Sequence, residues 1–303
     1  ASTRVTCDPR ATEALAQECA SNPTALRLVS GWLAARPRAS VADAAARMRA
    51  AAGEDDRSPA APLARAFRLV HGDLPPSAAR MLRLLSLAPE GVVDIHIASA
   101  LAGSSMPAAA SVLDMLAAHG LLSAEAYPGE YRVPGCLHAM LRSFLAAQER
   151  DDEIRLAKAR MLERTVRLLA ACRAALTGET GGDRAPAAKP SKAGARAAGP
   201  SPQVRFPSPQ AAAAWLRHRL PCLVASARLA AHDGKLDTLA RRLVAALLTV
   251  LTLPAGEEAR AGSTAELYEL HGLVLEVARR RGSHREQAAA LINLADLDAA
   301  AGR

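Results

Sequence analysis

One stretch of this sequence cannot be continued as helix, and it decides how the residues around it are read. "LLSAEAYPGEYRV" (121–133) is two short extended runs about a Pro128-Gly129 step. Proline withholds an N–H and glycine adopts the backbone angles of a tight turn, so this is the best β-hairpin signal in the chain. Everywhere else helix formers dominate. Half the residues are hydrophobic and only 3% are aromatic, and alternating runs of Val, Ile, Thr and aromatics, which strands need, are nearly absent. The expected fold is all-α, mainly helical, with one small β-hairpin wing.

Three helical segments precede the hairpin. Pro76 opens one, with Ala78, Met81, Leu82 and Leu85 at helical spacing; Asp94 caps a short one through Ala102; Ser104-Ser105 precede a third, whose Ala109, Val112, Leu113 and Leu116 share a face. Three helices followed by a hairpin is the order of a winged helix, expected over 62–150. The segment 1–53 reads as three helices of an incomplete helical domain. Asp8-Pro9 caps the first, Asn22-Pro23 starts a second that Pro37 stops, and Ser40 with Asp43 resembles a capping box for a third. "GEDDRSPAAP" (53–62) is a polar connector.

After the hairpin a helix runs from Cys136 to Glu149. A long connecting helix follows over 151–176, with Leu162, Thr165, Val166, Leu169 and Cys172 on one stripe. Residues 177–209, rich in Gly, Pro and Ala, hold too few apolar side chains to offset the entropy of ordering, and a disordered linker is expected. Its basic residues, Arg184, Lys189, Lys192, Arg196 and Arg205, are either solvated or in weak contact with an anionic partner. The segment 210–303 reads as antiparallel helical hairpins. Leu236, Leu239, Leu243, Leu247 and Val250 form one stripe, and Leu267, Leu270, Val274 and Val277 another. Ala288, Leu291, Ile292 and Ala295 occupy the packing positions of the last helix. A lone half-repeat cannot bury its face, so this region is expected to be truncated at its C-terminal end.

Five cysteines (Cys7, Cys19, Cys136, Cys172, Cys222) are far apart and show no metal or redox spacing, which fits a reduced, cytoplasmic chain. No apolar run spans a bilayer and no signal peptide is recognisable. Net charge is +8, carried mostly by Arg, which is either a generally basic solvated surface or an attraction for nucleic acid and acidic partners. His218 and Cys222 stand four apart with Pro221 between them and no second pair, too little for zinc. Ser111, Asp114 and His119 share one helix, without the oxyanion donors a hydrolase needs. The third helix of the wing module, "SMPAAASVLDMLAAHG", has no Arg, Lys, Asn or Gln to read base edges, so DNA binding by this segment alone is not expected.

Taken in order, these segments resemble part of the signal-transducing NTPases that carry an NB-ARC module (the STAND class), in particular AfsR-like bacterial transcriptional regulators. "CASNPTALRLVSGWLAARP" (19–37) is similar to the helix bearing that family's Gly-Leu-Pro-Leu-Ala-Leu signature: Pro23, Ala25 and Leu26 match, while Ser21, Asn22 and Thr24 depart from it. "FPSPQAAAAWLRHRLPCLVASARLAAHDG" (206–234) resembles the segment leading into tetratricopeptide repeats, where Trp215-Leu216 precedes a helix of pattern Pro-x-Leu-Val-Ala, here Pro221 to Ala225. The resemblance implies an ARC-like helical domain, a winged helix, a helical spacer and the start of repeats. It also implies a protein partner on the repeats and an intramolecular contact with an NTPase domain missing here.

In that family the second wing strand runs into a His-Asp step whose His reaches the nucleotide β-phosphate. Pro134-Gly135 stand at that place here and offer neither an imidazole N–H nor a carboxylate. His138, one turn on, is either a substitute or a surface or cap histidine. Pro23 matches the residue on the adenine side, or is simply a first-turn helix proline. No G-x-x-x-x-G-K-[ST] stretch occurs, so the P-loop's backbone cradle and lysine are not expected here. ADP or ATP binding would need the missing P-loop domain, no cofactor is expected, and the chain reads as a non-enzymatic regulatory and protein-interaction segment. The alternative is a nucleic-acid-binding protein using a basic, Arg-rich surface and the winged helix.

Overall fold

The computed structural model describes residues 8–51, 60–178, 205–253 and 264–303. Most of the polar connector at 53–62, and all of the expected linker except its ends, lie outside them, as does Cys7. The chain divides into two compact units, Ala1–Arg160 and Met161–Arg303. Among the described residues it is mostly helical, with one small antiparallel sheet.

The first unit begins with helices set by their caps. Asp8 accepts the Ala11 N–H at 3.0 Å and starts α1 (Pro9–Glu18); Asn22 accepts the Ala25 N–H at 3.0 Å and starts α2 (Pro23–Ala34). Ser40 and Asp43 form the full capping box of α3 (Val41–Ala50): Asp43 N–H donates to Ser40 Oγ at 3.0 Å and Ser40 N–H to Asp43 Oδ2 at 2.8 Å. A helix not read from the sequence, α4 (Ala61–Gly72), packs on α2 and α3. Residues placed above at the head of the wing segment thus lie against the preceding helical group. Arg65 pairs with Glu18 at 3.0 Å, and Trp32 Nε1 donates to Asp73 just beyond the helix at 2.6 Å. The core here is Leu28, Val29, Trp32, Met48, Phe67 and Val70, all 0% exposed. Burying each large side chain contributes about 1.5–3 kcal/mol.

The three helices ahead of the hairpin follow: α5 (Pro76–Leu85), α6 (Ile95–Ala102) and α7 (Met106–Ala118). Asp94 caps α6 at 2.8 Å and Ser105 caps α7 at 3.4 Å. The hairpin forms as read, from β2 (Ser123–Ala124) and β3 (Glu130–Arg132), with Ala124 opposite Tyr131. A third strand, β1 (Val92–Asp94), pairs antiparallel with β3 on its other edge, giving the order β1-β3-β2 with Val93 opposite Tyr131. Gly91, just before β1, has φ +66°, and a Cβ there would stand 3.0 Å from His138 Nε2 and 3.3 Å from the Val133 carbonyl. Only glycine fits that turn. Next come α8 (Gly135–Gln148) and α9 (Asp151–Thr177). In the first unit, Arg160 of α9 donates to the carbonyls of Ala100 and Leu101 at 2.9 and 2.8 Å and so covers the open end of α6.

The second unit holds the rest of α9, then α10 (Pro209–Asp233), α11 (Asp237–Leu251), α12 (Thr264–Arg280) and α13 (His284–Ala300). α10 packs on α11 and α12, and α12 on α13. Two sequence expectations change here. Pro221 does not begin a helix, since Trp215, Leu216 and the whole Pro221–Ala225 pattern lie in the continuous α10. The donor that proline lacks costs little against the burial of Leu216, Leu220, Leu223 and Val224 on both sides of it. In α13 the stripe read as packing faces outward, with Leu291 49% and Ile292 62% exposed. Ala290 is buried instead, because α13 carries a second apolar line through Ala290, Leu294 and Leu297. No single helix among the described residues is long and apolar enough to cross a membrane.

Candidate functional site

The residues singled out from the sequence come together in part. Cys136, in the first turn of α8, places its Sγ 3.5 Å from Thr24 Oγ1, in the first turn of α2. Pro23 and the Pro134-Gly135 step, far apart in sequence, therefore stand at two neighbouring helix N-termini. Pro23 is exposed at the first helical position, with its turn capped by Asn22. Pro134 is the N-cap of α8, where it has no side-chain acceptor to offer, and its carbonyl takes the Leu137 N–H at 2.9 Å. A Cβ on Gly135 would meet nothing within 4 Å. His138 lies with its ring against the Gly91 turn, and burial, then the charge of Arg142, holds its pKa below the ordinary imidazole value. Neither Pro134 nor Gly135 supplies a side-chain group to a nucleotide phosphate, so these residues do not by themselves make an ADP or ATP site.

A second set, unmarked in the sequence reading, joins the helical group to the three-helix-and-hairpin group within the first unit. Gly31 sits in the last turn of α2, and a Cβ there would lie 2.5 Å from the His119 carbonyl carbon and 2.6 Å from its oxygen. The α7–β2 turn thus rests directly on helix backbone. Arg27, one turn earlier on α2, donates to Ser123 Oγ at 2.6 Å and to the Leu122 carbonyl. Gly31 was legible in principle, since a glycine inside an apolar helix signals close backbone approach. Arg27 was not, because its partners lie across the fold rather than in local sequence.

The hairpin carries little free positive charge. Arg132 pairs with Glu125 and donates to the Glu90 carbonyl at 2.9 Å, and Tyr131 Oη donates to Asp114 Oδ1 at 2.8 Å, which raises the tyrosine pKa. The exposed positions of α7 are Pro107, Ala108, Ser111, Asp114 and Ala118. Asp114 is thereby engaged, and His119 Nδ1 donates to its own helix at Met115 O, 2.8 Å, so Ser111, Asp114 and His119 form no catalytic relay. His218 is exposed and Cys222 half-buried on α10, and among the described residues no group of His, Cys, Asp or Glu could hold a metal ion.

A third cluster lies at the far end of α2. Trp32 is enclosed by two guanidinium groups, with Arg36 Cζ 4.7 Å and Arg47 Cζ 5.4 Å from the ring centroid. Both arginines converge on Asp73 Oδ2, at 2.8 and 3.9 Å. Comparison of the chain with protein-family models, with curated proteins and with solved structures finds no match.

Proposed function

We propose that the chain is a non-enzymatic, cytoplasmic regulatory and protein-interaction segment, acting as a conformational relay in a signal-responsive bacterial transcriptional regulator of the AfsR-like kind. In this reading α1–α4 form the ARC-like domain, α5–α7 with the hairpin and α8 the winged helix, and α10–α13 the entry to tetratricopeptide repeats that receive a protein partner. Pro134-Gly135 in place of His-Asp removes the nucleotide's hold on the wing, so the relay is set by domain packing instead.

The observation that carries the reading is the joint between α2 and the 119–123 turn. It rests on two backbone approaches, Gly31 against the His119 carbonyl and Gly120 against the Arg27 carbonyl, and on the side-chain bonds of a single arginine, Arg27. In this reading the polar bonds of Arg27 at that joint are the part that a partner can bias. Hydrogen exchange tests it. Arg27→Ala should speed amide exchange across residues 119–133 several-fold while α2 and α5 keep their protection. Cooperative unfolding of the whole first unit, or no change beyond residue 27, would overturn the relay.

A further inference from the structure

The cluster at the C-terminal end of α2 lines a cleft of ≈ 640 Å³, within the range of small-molecule sites. Arg36 and Arg38 come from the turn after α2 and Arg47 from α3. We propose that this cleft binds a phosphate-class oxyanion, either free phosphate or a small phosphomonoester. The inference is independent of the relay reading above.

The arrangement is preorganised from the inside outward. Trp32 is wholly buried and its Nε1 is fixed on Asp73. The ring in turn holds Arg36 and Arg47, so their side chains lose less freedom when a ligand arrives. Their convergence on the same Asp73 oxygen means that one oxyanion can engage both, and each guanidinium presents several N–H groups where a carboxylate uses one or two. Arg38 is exposed, lines the same cleft and has no carboxylate partner among the described residues.

Two acids oppose this charge. Asp73 pairs with Arg36 and Arg47, and Asp43 lines the cleft with its carboxylate already accepting the Ser40 N–H, which lowers its pKa. Three guanidinium groups against two carboxylates leave one positive charge uncompensated. Tetrahedral phosphate suits such a fork better than a planar carboxylate does, because it can accept from three arginines in different directions. A nucleobase is a poor occupant, since the indole that would stack on it is buried behind Arg36 and Arg47.

Trp32 is also the reporter. The chain has two tryptophans, and Trp215→Phe leaves Trp32 alone. The full chain in that background is titrated with inorganic phosphate, and separately with glycerol phosphate, at ionic strength held constant with sodium chloride. The expected result is a saturable change in Trp32 emission that neither chloride nor acetate reproduces. Arg38→Ala should weaken it at least tenfold without altering the far-UV spectrum, because Arg38 is exposed and the Trp32 cluster does not depend on it. Tighter binding of glycerol phosphate assigns the site to a monoester, and equal or weaker binding assigns it to free phosphate. A non-saturable response, an equal response to acetate, or an unchanged affinity in Arg38→Ala would overturn the proposal.

Discussion

His71 sits where α4 meets α8. Its ring centroid is 4.9 Å from that of Phe144 and 5.4 Å from that of Phe67, and its Nε2 is buried without a hydrogen-bond partner. Burial, then the charge of Arg83, lowers its pKa below the ordinary 6.5. In the unfolded chain the imidazole takes up its proton near that ordinary value, and in the folded chain only at lower pH. Stability is therefore full above pH 6.5, falls as the pH drops from there to the lowered folded value, and is flat below it for this group. Burial of His138 and His271 acts in the same direction. His71→Phe places a third phenyl among Phe67 and Phe144 and removes the dependence due to this site. Urea midpoints at pH 7.5 and 5.0 should then differ less in the variant than in the parent. At this scale the sequence was most readable at helix starts. Asp8, Asn22, Ser40, Asp94 and Ser105 each cap by bonding three residues ahead, a relation contained in local sequence. Asp73 was not readable as a ligand of Trp32, because its partner lies on another helix.

Between α8 and α9 the chain breaks at Glu149, whose backbone is extended (φ −115°, ψ 144°). Its carboxylate accepts from Arg83 Nη2 at 2.9 Å and Arg80 Nε at 3.0 Å, and fastens the junction to α5. Burial alone would raise the Glu149 pKa, but the Arg83 bond and the Arg80 charge outweigh it and the pKa is lowered. The Glu149 and Arg83 side chains are only 4% and 9% exposed. Glu149→Gln leaves Arg83 buried beside a neutral amide, and since Arg83 Nε already lacks a partner, a loss of about 3–5 kcal/mol is expected. Replacing both at once, Arg83→Met with Glu149→Leu, should recover most of it, because no uncompensated charge then stays buried. A double-mutant cycle by chemical denaturation measures both outcomes, and additive single losses would contradict the argument. The elements missed in the sequence, α4 and β1, differ in cause. Ala60 gives α4 no side-chain cap, and three-residue β1 exists through its pairing with distant β3. β1 depends on a distant partner that local pattern does not show, whereas Leu63, Ala66, Phe67 and Val70 of α4 stand at helical spacing after Pro62 and were readable in principle.

Over the whole molecule, a helical chain with one hairpin was legible because composition and Pro-Gly placement act on every residue at once. The reach of its positive charge was not legible, since +8 says nothing of where the charges are spent. In the second unit Arg228 pairs with Glu269 at 2.7 Å, Arg241 with Glu286 at 2.6 Å, Arg242 with Glu163 at 2.7 Å and Arg280 with Asp237 at 2.5 Å. In the first unit the single hairpin arginine, Arg132, is bound to Glu125, and α7 exposes no Arg, Lys, Asn or Gln to read base edges. Contact of the described residues with DNA would then come from arginines displacing condensed counterions without base readout, and such binding weakens by orders of magnitude as salt rises. Anisotropy of a labelled duplex should therefore report binding at ~20 mM salt, indifferent to base sequence, and none at ~150 mM. Micromolar binding that survived ~150 mM salt would mean that several of these arginines leave their carboxylates for phosphates, and the basic surface rather than the relay would be the working part of the chain.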